Sequence, residues 1–272
     1  MKAKILDING KEIKEIKLPT QFDEPYRPDL IKKAVLAIQA NNRQPYGTKK
    51  GAGMRQRGKL SRRRRKYKGA YGRGISRVPR KTMTKRGTQF YWVGAEAPST
   101  VGGRRAHPPK AEKDWHQKLN LNEKRKAIRS ALNATTIKEI VQARGHRTDI
   151  APFVIDGKIE EISKTKELHK ILNKIGLGSE LDRIMKKKVR AGKGKMRGRK
   201  YKTKTGPLFI VSEKCKLIDA TTNLLGIDTT LVNNLNAALL APGCTPGRLC
   251  IWSDKAMDKL GKEKLFMKKV RK

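Results

Sequence analysis

The chain has little of what membrane proteins, disulfide-stapled proteins and most enzymes are built on. Its three cysteines, Cys215, Cys244 and Cys250, have no paired spacing, and its four histidines, His107, His116, His146 and His169, are scattered. A local zinc motif and a disulfide framework are thereby excluded, and an odd cysteine count suits a reducing compartment. No apolar run exceeds the length of Ala237 to Ala241, against the roughly 20 residues that a spanning helix requires. The start, Met1-Lys2-Ala3-Lys4-Ile5-Leu6-Asp7, turns acidic before an apolar region of signal-peptide length develops. A cytoplasmic protein with no membrane partner and no metal site is expected.

Acids are the scarcest item. Against 66 Lys+Arg stand 24 Asp+Glu, a formal net charge of +42. Self-repulsion at that charge opposes compaction unless a polyanion is present, so nucleic acid is the expected partner. The shortage is also local. From Arg43 to Lys110 there are 21 basic residues and one acid, Glu96; from Arg183 to Lys204 there are 12 basic residues and no acid. Half of all the cations therefore sit in two segments, and the remainder has the charge balance of an ordinary globular protein.

The first segment also lacks aliphatic periodicity and carries eleven glycines. Alone, it buries too little apolar surface to offset its ordering entropy, and a loop this long inside a domain is usually functional. Ordering on RNA resolves the problem, because each Arg or Lys displaces a condensed counterion from phosphate. The candidate RNA-binding side chains here are Arg55, Arg57, Lys59, Arg62, Arg63, Arg64, Arg65, Lys66, Lys68, Arg73, Arg77, Arg80, Lys81, Arg104, Arg105, His107 and Lys110. In the second segment they are Arg190, Lys193, Lys195, Arg197, Arg199 and Lys200, read as a second RNA clamp. Tyr67, Tyr71, Phe90, Tyr91 and Trp92 lie among the charges and could stack on unpaired bases; Phe90-Tyr91-Trp92 could equally pack on a protein neighbour.

Catalytic signatures fail on inspection. Gly53-Met54-Arg55-Gln56-Arg57-Gly58-Lys59 begins like a phosphate-binding loop, but Leu60 offers no hydroxyl to magnesium and no buried strand precedes Gly53. Gly72-Arg73-Gly74-Ile75-Ser76-Arg77 has Arg where a dinucleotide turn has its third Gly. No cofactor is expected; magnesium in an RNA complex would belong to the RNA.

The remainder folds by ordinary rules. Ala3 to Ile8 alternates and meets Asn9-Gly10, a hairpin turn, with Ile13 to Leu18 returning. Pro28-Asp29 opens a helix to about Asn41 with Leu30, Ile31, Ala34, Val35 and Ile38 on one stripe. Asn122 is expected to cap a helix that buries Ile128, Ala131, Leu132 and Thr135. Phe153-Val154-Ile155 reads as a buried strand, and Ser163 to Ile175 as a helix stopped by Gly176. Leu208 to Val211, Ile227 to Val232 and Leu249 to Trp252 follow as strands, and Asp254 is expected to cap a last helix. The expected fold class is α/β: one globular domain, residues 1–42 and 111–272, with a mainly parallel sheet flanked by helices, plus a long extended basic internal loop, residues 43–110.

Several stretches occur in a recognisable order: Ala106-His107-Pro108-Pro109-Lys110, Arg129 to Thr135, Ala143-Arg144-Gly145-His146, Val189 to Tyr201 with its Arg-Ala-Gly-Lys-Gly-Lys run, Ala241-Pro242-Gly243, and Pro246-Gly247-Arg248-Leu249. Over nearly its whole length the chain resembles the large-subunit ribosomal protein L-four family in its archaeal form. It ends at Lys272 without the basic extension of eukaryotic members. The resemblance implies a structural, non-enzymatic protein bound to large-subunit rRNA beside other ribosomal proteins. Its internal loop would thread to the peptide exit tunnel and meet the nascent peptide near Gly74, Ile75, Ser76, Arg77, Val78, Pro79 and Arg80. Two other classes predict different behaviour. An RNA-modifying enzyme requires a cofactor pocket and turnover, and a DNA-compacting protein binds duplex DNA as tightly as folded RNA.

Overall fold

The N-terminal hairpin forms on alternating residues around Asn9-Gly10. In the computed structural model, which describes residues 1–56 and 58–267, β1 (Lys2–Leu6) pairs antiparallel with β2 (Glu12–Lys17). Gly10 has φ +83°, where L side chains are strained, and a Cβ there would lie 3.0 Å from the Lys174 carbonyl oxygen. α1 (Pro28–Asn41) starts on proline and buries Ile31, Ala34, Val35 and Ala37. Next come β3 (Arg80–Arg86) and β4 (Gln89–Gly94), then α2 (Leu121–Thr136), α3 (Lys138–Ala143) and β5 (Phe153–Ile155). α4 (Thr165–Lys174) and α5 (Gly178–Met185) lead to the short strands β6 (Lys188–Val189) and β7 (Tyr201–Lys202). The chain finishes through β8 (Leu208–Val211), α6 (Leu217–Thr222), β9 (Asp228–Leu231), α7 (Ala237–Leu240), β10 (Cys250–Ser253) and α8 (Asp254–Lys262).

By packing, the chain forms two compact units: Met1–Asn42 joined with the chain from His116 onward, and Arg43–Trp115. The first is built on a six-stranded sheet in the order β2-β1-β5-β10-β8-β9, parallel throughout except for the β1–β2 edge. Side chains alternate across it. Ile5, Val154, Trp252, Cys250 and Ile210 face one core with α1, α2 and α8; Leu6, Phe153, Ile155, Ile251 and Phe209 face the other with α4 and α6. Helices on both faces bury the central strands β5, β8 and β10 doubly, which is why these are continuous apolar runs rather than alternating ones. Among the described residues no helix is long and apolar enough to cross a membrane.

Two expected caps shift. The α2 cap is Asn120, whose side chain accepts from Asn122 N at 3.0 Å, and not Asn122 itself. Likewise Ser253 caps α8 by accepting from Ala256 N at 3.1 Å, leaving Asp254 as its first helical residue. In both cases two polar residues compete, and the one still in extended conformation takes the role. The larger difference lies in the basic segment, which carries a β3–β4 hairpin where no element was expected.

Buried charges hold the loops of the sheet unit. Arg248, 1% exposed, donates to the carbonyls of Gly206 at 2.8 Å and Leu239 at 3.1 Å and pairs with Asp228. Glu160 accepts from Ser212 N and Ser212 Oγ, both at 2.9 Å, and from Ser253 Oγ, so one carboxylate ties the ends of β8 and β10. Glu180 is fully buried beside His146, whose Nδ1 lies 2.6 Å from it, and Arg183, which reaches both of its oxygens at 2.7 Å. Burial opposes its charge, but hydrogen bonds from Arg183, His146 and Arg147 N prevail and hold its carboxyl down at about 2.

A carboxyl whose folded pKa is depressed contributes stability that is complete above the unfolded value, about 4.3, and is lost as pH falls toward the folded one. Acid unfolding should therefore show a loss of stability between about pH 4.3 and pH 2 that Glu180→Gln abolishes, measured by denaturant titration across pH. Glu180→Ala should cost roughly 3–5 kcal/mol at neutral pH, because it strands Arg183 in a buried site.

Candidate RNA interface

The unit Arg43–Trp115 is organised as two arms closed on each other. Thr48 N donates to Pro109 O at 3.1 Å, Gln56 Nε2 to Gly102 O at 3.2 Å, and Lys59 and Arg80 exchange backbone hydrogen bonds at 3.0 and 3.1 Å. Glycine makes this approach possible. A Cβ at Gly53 would stand 2.5 Å from Arg104 Cα, and one at Gly47 would stand 2.5 Å from Ala111 N. Part of the segment's glycine content thus admits the opposite arm. Glu96, the segment's lone acid, spends its carboxylate on Gly58 N at 2.9 Å.

The aromatics pack on one another and under cations. Tyr67 and Phe90 meet edge-on at 5.4 Å, and Phe90 and Trp92 at 5.0 Å. Arg64 and Arg77 lie over Tyr71, Lys68 over Tyr67 and Phe90, and Arg80 over Trp92. A cavity of about 630 Å³ lies beside this cluster, lined by Tyr67, Arg73, Arg86, Phe90, Tyr91 and Trp92 among others. Tyr91, 68% exposed, is the ring left open on the hairpin.

The expected site residues fall as follows. Arg55, Lys59, Arg62, Arg63, Arg64, Arg65, Lys66, Arg73, Arg77, Arg105, His107 and Lys110 are exposed, while Lys68, Arg80, Lys81 and Arg104 are half-buried. Arg57 lies outside the described residues. Lys81 is spent on Gln56 Oε1 at 2.9 Å, and Arg80 donates to Ser76 O at 2.8 Å. Of the expected loop apex, Gly74, Ile75, Ser76 and Arg77 are exposed, whereas Val78, Pro79 and Arg80 are tied in, with Ala95 N donating to Pro79 O at 2.7 Å. The exposed turn of the β3–β4 hairpin is Gly87-Thr88.

The second segment, in the sheet unit, is also a small hairpin: β6 pairs with β7, and a 3-10 turn at Lys193–Arg197 lies between glycines Gly192 and Gly198, both with positive φ. Arg190 is half-buried and spent on the carbonyls of Arg199 and Tyr201. Lys193, Lys195, Arg197, Arg199 and Lys200 are exposed. Among the described residues, no cation of 43–110 or 186–204 makes an ion pair; the ion pairs all lie elsewhere in the sheet unit. No group of three or more His, Cys, Asp or Glu gathers among the described residues where a metal could bind.

One cationic row escaped the sequence reading. Asn122, Arg125, Lys126 and Arg129 line a cavity of about 290 Å³ on α2. Their spacing of three and four places them on one helix face, which is the signal that could have found them. Arg129 is spent on Glu24 at 2.7 Å and on Phe266 O at 2.7 Å; Arg125 is not.

Motifs that are not basic have a different use. Arg144 donates to Pro242 O at 2.8 Å and to Pro246 O at 3.5 Å, and a Cβ on Gly247 would strike Ile140 at 2.7 Å. Ser130 accepts from Arg27 N at 2.7 Å, and Asn133 donates to Glu24 O at 2.7 Å. These stretches join loops of the sheet unit.

Comparison with known proteins agrees over nearly the whole length. A protein of Nanoarchaeum equitans called "Large ribosomal subunit protein uL4" is 47% identical over 98% of this chain and 100% of its own. Proteins of the same name from Methanococcoides burtonii and Archaeoglobus fulgidus are 46% and 40% identical, covering 94% and 96% of this chain and 96% and 98% of theirs. The model of the ribosomal protein L4/L1 family matches residues 16–263. With the family matched through both basic segments and the sheet unit, the chain belongs to the ribosomal protein L4/L1 family, a family of ribosomal structural proteins and not of enzymes.

Proposed function

We propose that this protein binds large-subunit rRNA through its two basic segments, supports assembly of that subunit beside neighbouring ribosomal proteins, and lines part of the nascent-peptide exit tunnel with residues around Gly74 to Arg80. The observation that carries the RNA reading is the pair of basic segments, whose cations, apart from Arg183 on Glu180, make no ion pair among the described residues. Unpaired like charges at this density repel, and phosphate is the partner that relieves the repulsion. Arginine in an exposed run suits it particularly, since the guanidinium fork engages phosphate through two donors. No protein-ligated cofactor belongs to this reading; magnesium in the particle would be held by the RNA.

Binding to large-subunit RNA should weaken steeply with salt. Replacing Lys193, Lys195, Arg197 and Arg199 together by Gln should flatten the log-affinity against log-salt slope by up to about four units. All four are exposed, so the fold should survive, and an unchanged slope means that this hairpin does not touch phosphate.

In the free protein, trypsin should cut first within Arg62–Lys66, while the N-terminal fragment stays bound through the β1–β5 pairing. On assembled subunits those sites should be shielded; equal cleavage in both states counts against RNA contact there. For the tunnel role, Arg73→Gln with Arg77→Gln should leave incorporation intact but change read-through of stalling-prone peptides in a translation reporter. Normal stalling on such ribosomes would remove the apex from the tunnel wall.

A further inference from the structure

Where the arms of the basic segment close, a cavity stands whose chemistry phosphate binding alone does not explain. Tyr46 stacks on Trp115 with centroids 5.4 Å apart and planes at 17°. Beside the pair lies a cavity of about 710 Å³, within the range of about 300–1,000 Å³ typical of small-ligand sites. Two further walls are Pro108 and Pro109, which are rigid and carry no backbone N–H. Arg105, Lys110 and Lys113 bring positive charge to the rim, and Glu112 brings one acceptor. Tyr46 remains 49% exposed although one face is covered by Trp115.

We propose that this cavity takes one unpaired nucleotide, its base stacked on Tyr46 and its phosphate held by Arg105, Lys110 and Lys113. This rests on the reading that the chain binds RNA, and narrows it from phosphate contact to recognition of a single base. A duplex hides its base faces, so an aromatic platform at its side gains nothing from paired RNA; an unstacked base presents a full π-face. An acidic peptide would satisfy the cations but not use the platform. Lys113, 4.4 Å from the Trp115 centroid, and Arg43, at 4.5 Å, already press cations on the rings, so the platform lies in a positive field that draws the adjoining phosphate. Glu112 favours a base with an exocyclic amino group, hence cytosine, adenine or guanine over uracil.

The test uses the full chain, large-subunit rRNA and the variants Tyr46→Ala, Tyr46→Phe and Lys110→Gln, each checked for a native circular-dichroism spectrum and melting temperature. Tyr46→Ala should weaken binding about 5- to 150-fold with the salt slope unchanged, because stacking releases no counterions, and Tyr46→Phe should retain it. Lys110→Gln should lower the slope by about one unit. Ultraviolet cross-linking of the wild-type complex, read by mass spectrometry, should join Tyr46 or Trp115 to a nucleotide unpaired in the RNA. Wild-type affinity in Tyr46→Ala overturns the proposal, as do cross-links from these rings to a protein or to paired bases. In those cases general RNA binding stands if the four-residue Gln variant of the Lys193–Arg199 hairpin is still weakened. Failure of the wild-type chain to bind the RNA at all sinks both.

Discussion

Like-charge repulsion is the constraint to which the rest of this molecule answers. With 66 cations and 24 acids, the chain cannot neutralise itself, and it does not distribute its acids evenly. Nearly all of them stay with the sheet unit, where the buried and half-buried ones pair with cations: Glu24 with Arg129, Glu180 with Arg183, Asp228 with Arg248. A core can then form at ordinary charge density while the surplus is exported to two glycine-rich segments. The separation matters because a cation buried without a partner costs several kcal/mol, whereas one in water costs little until it crowds its neighbours.

The sheet follows from that separation. Three of its central strands are short apolar runs, Phe153-Val154-Ile155, Leu208-Phe209-Ile210-Val211 and Cys250-Ile251-Trp252, all fully buried because helices cover both faces. Such runs are visible in sequence because a strand buried on both sides leaves no position for a polar residue. α1 was visible for the same reason together with its proline start. The caps moved by one or two residues, since Asn120 and Asn122, or Ser253 and Asp254, offer similar side chains and only backbone conformation decides between them.

What could not be seen depends on partners far apart in the chain. Glu180 and His146 are 34 residues apart, and neither position carries a local pattern announcing a buried pair. The closing of Gly47 on Ala111 is similar: glycine by itself does not say whether RNA or backbone will come close. The β3–β4 hairpin, by contrast, carries a local signal. Gly87-Thr88 followed by Gln89-Phe90-Tyr91-Trp92-Val93 is a turn followed by aromatic and β-branched residues, a strand signal that the surrounding charge obscured. The exposed cations themselves were legible, because exposure follows from having no acid within reach. Which of them are spent internally, as Lys81, Arg80 and Arg190 are, was not.

The aromatics explain how a segment with one acid can hold any shape. Among the described residues every cation–π contact lies in the Arg43–Trp115 unit or the second basic segment: Arg43 on Tyr46 and Trp115, Lys113 on Trp115, Arg64 and Arg77 on Tyr71, Lys68 on Tyr67 and Phe90, Arg80 on Trp92, and Lys187 and Lys200 on Tyr201. Each such contact is worth about 0.5–1 kcal/mol at an exposed site, comparable with a surface ion pair. The difference lies in what remains afterwards. A carboxylate would cancel the cation and withdraw it from any phosphate, whereas a ring positions the cation and leaves its charge intact. Tyrosine and tryptophan therefore do for this segment what aspartate and glutamate do for the sheet unit, at no loss of positive potential. The same rings keep a face for an unpaired base, so the groups that order the segment are also suited to bind what it orders around.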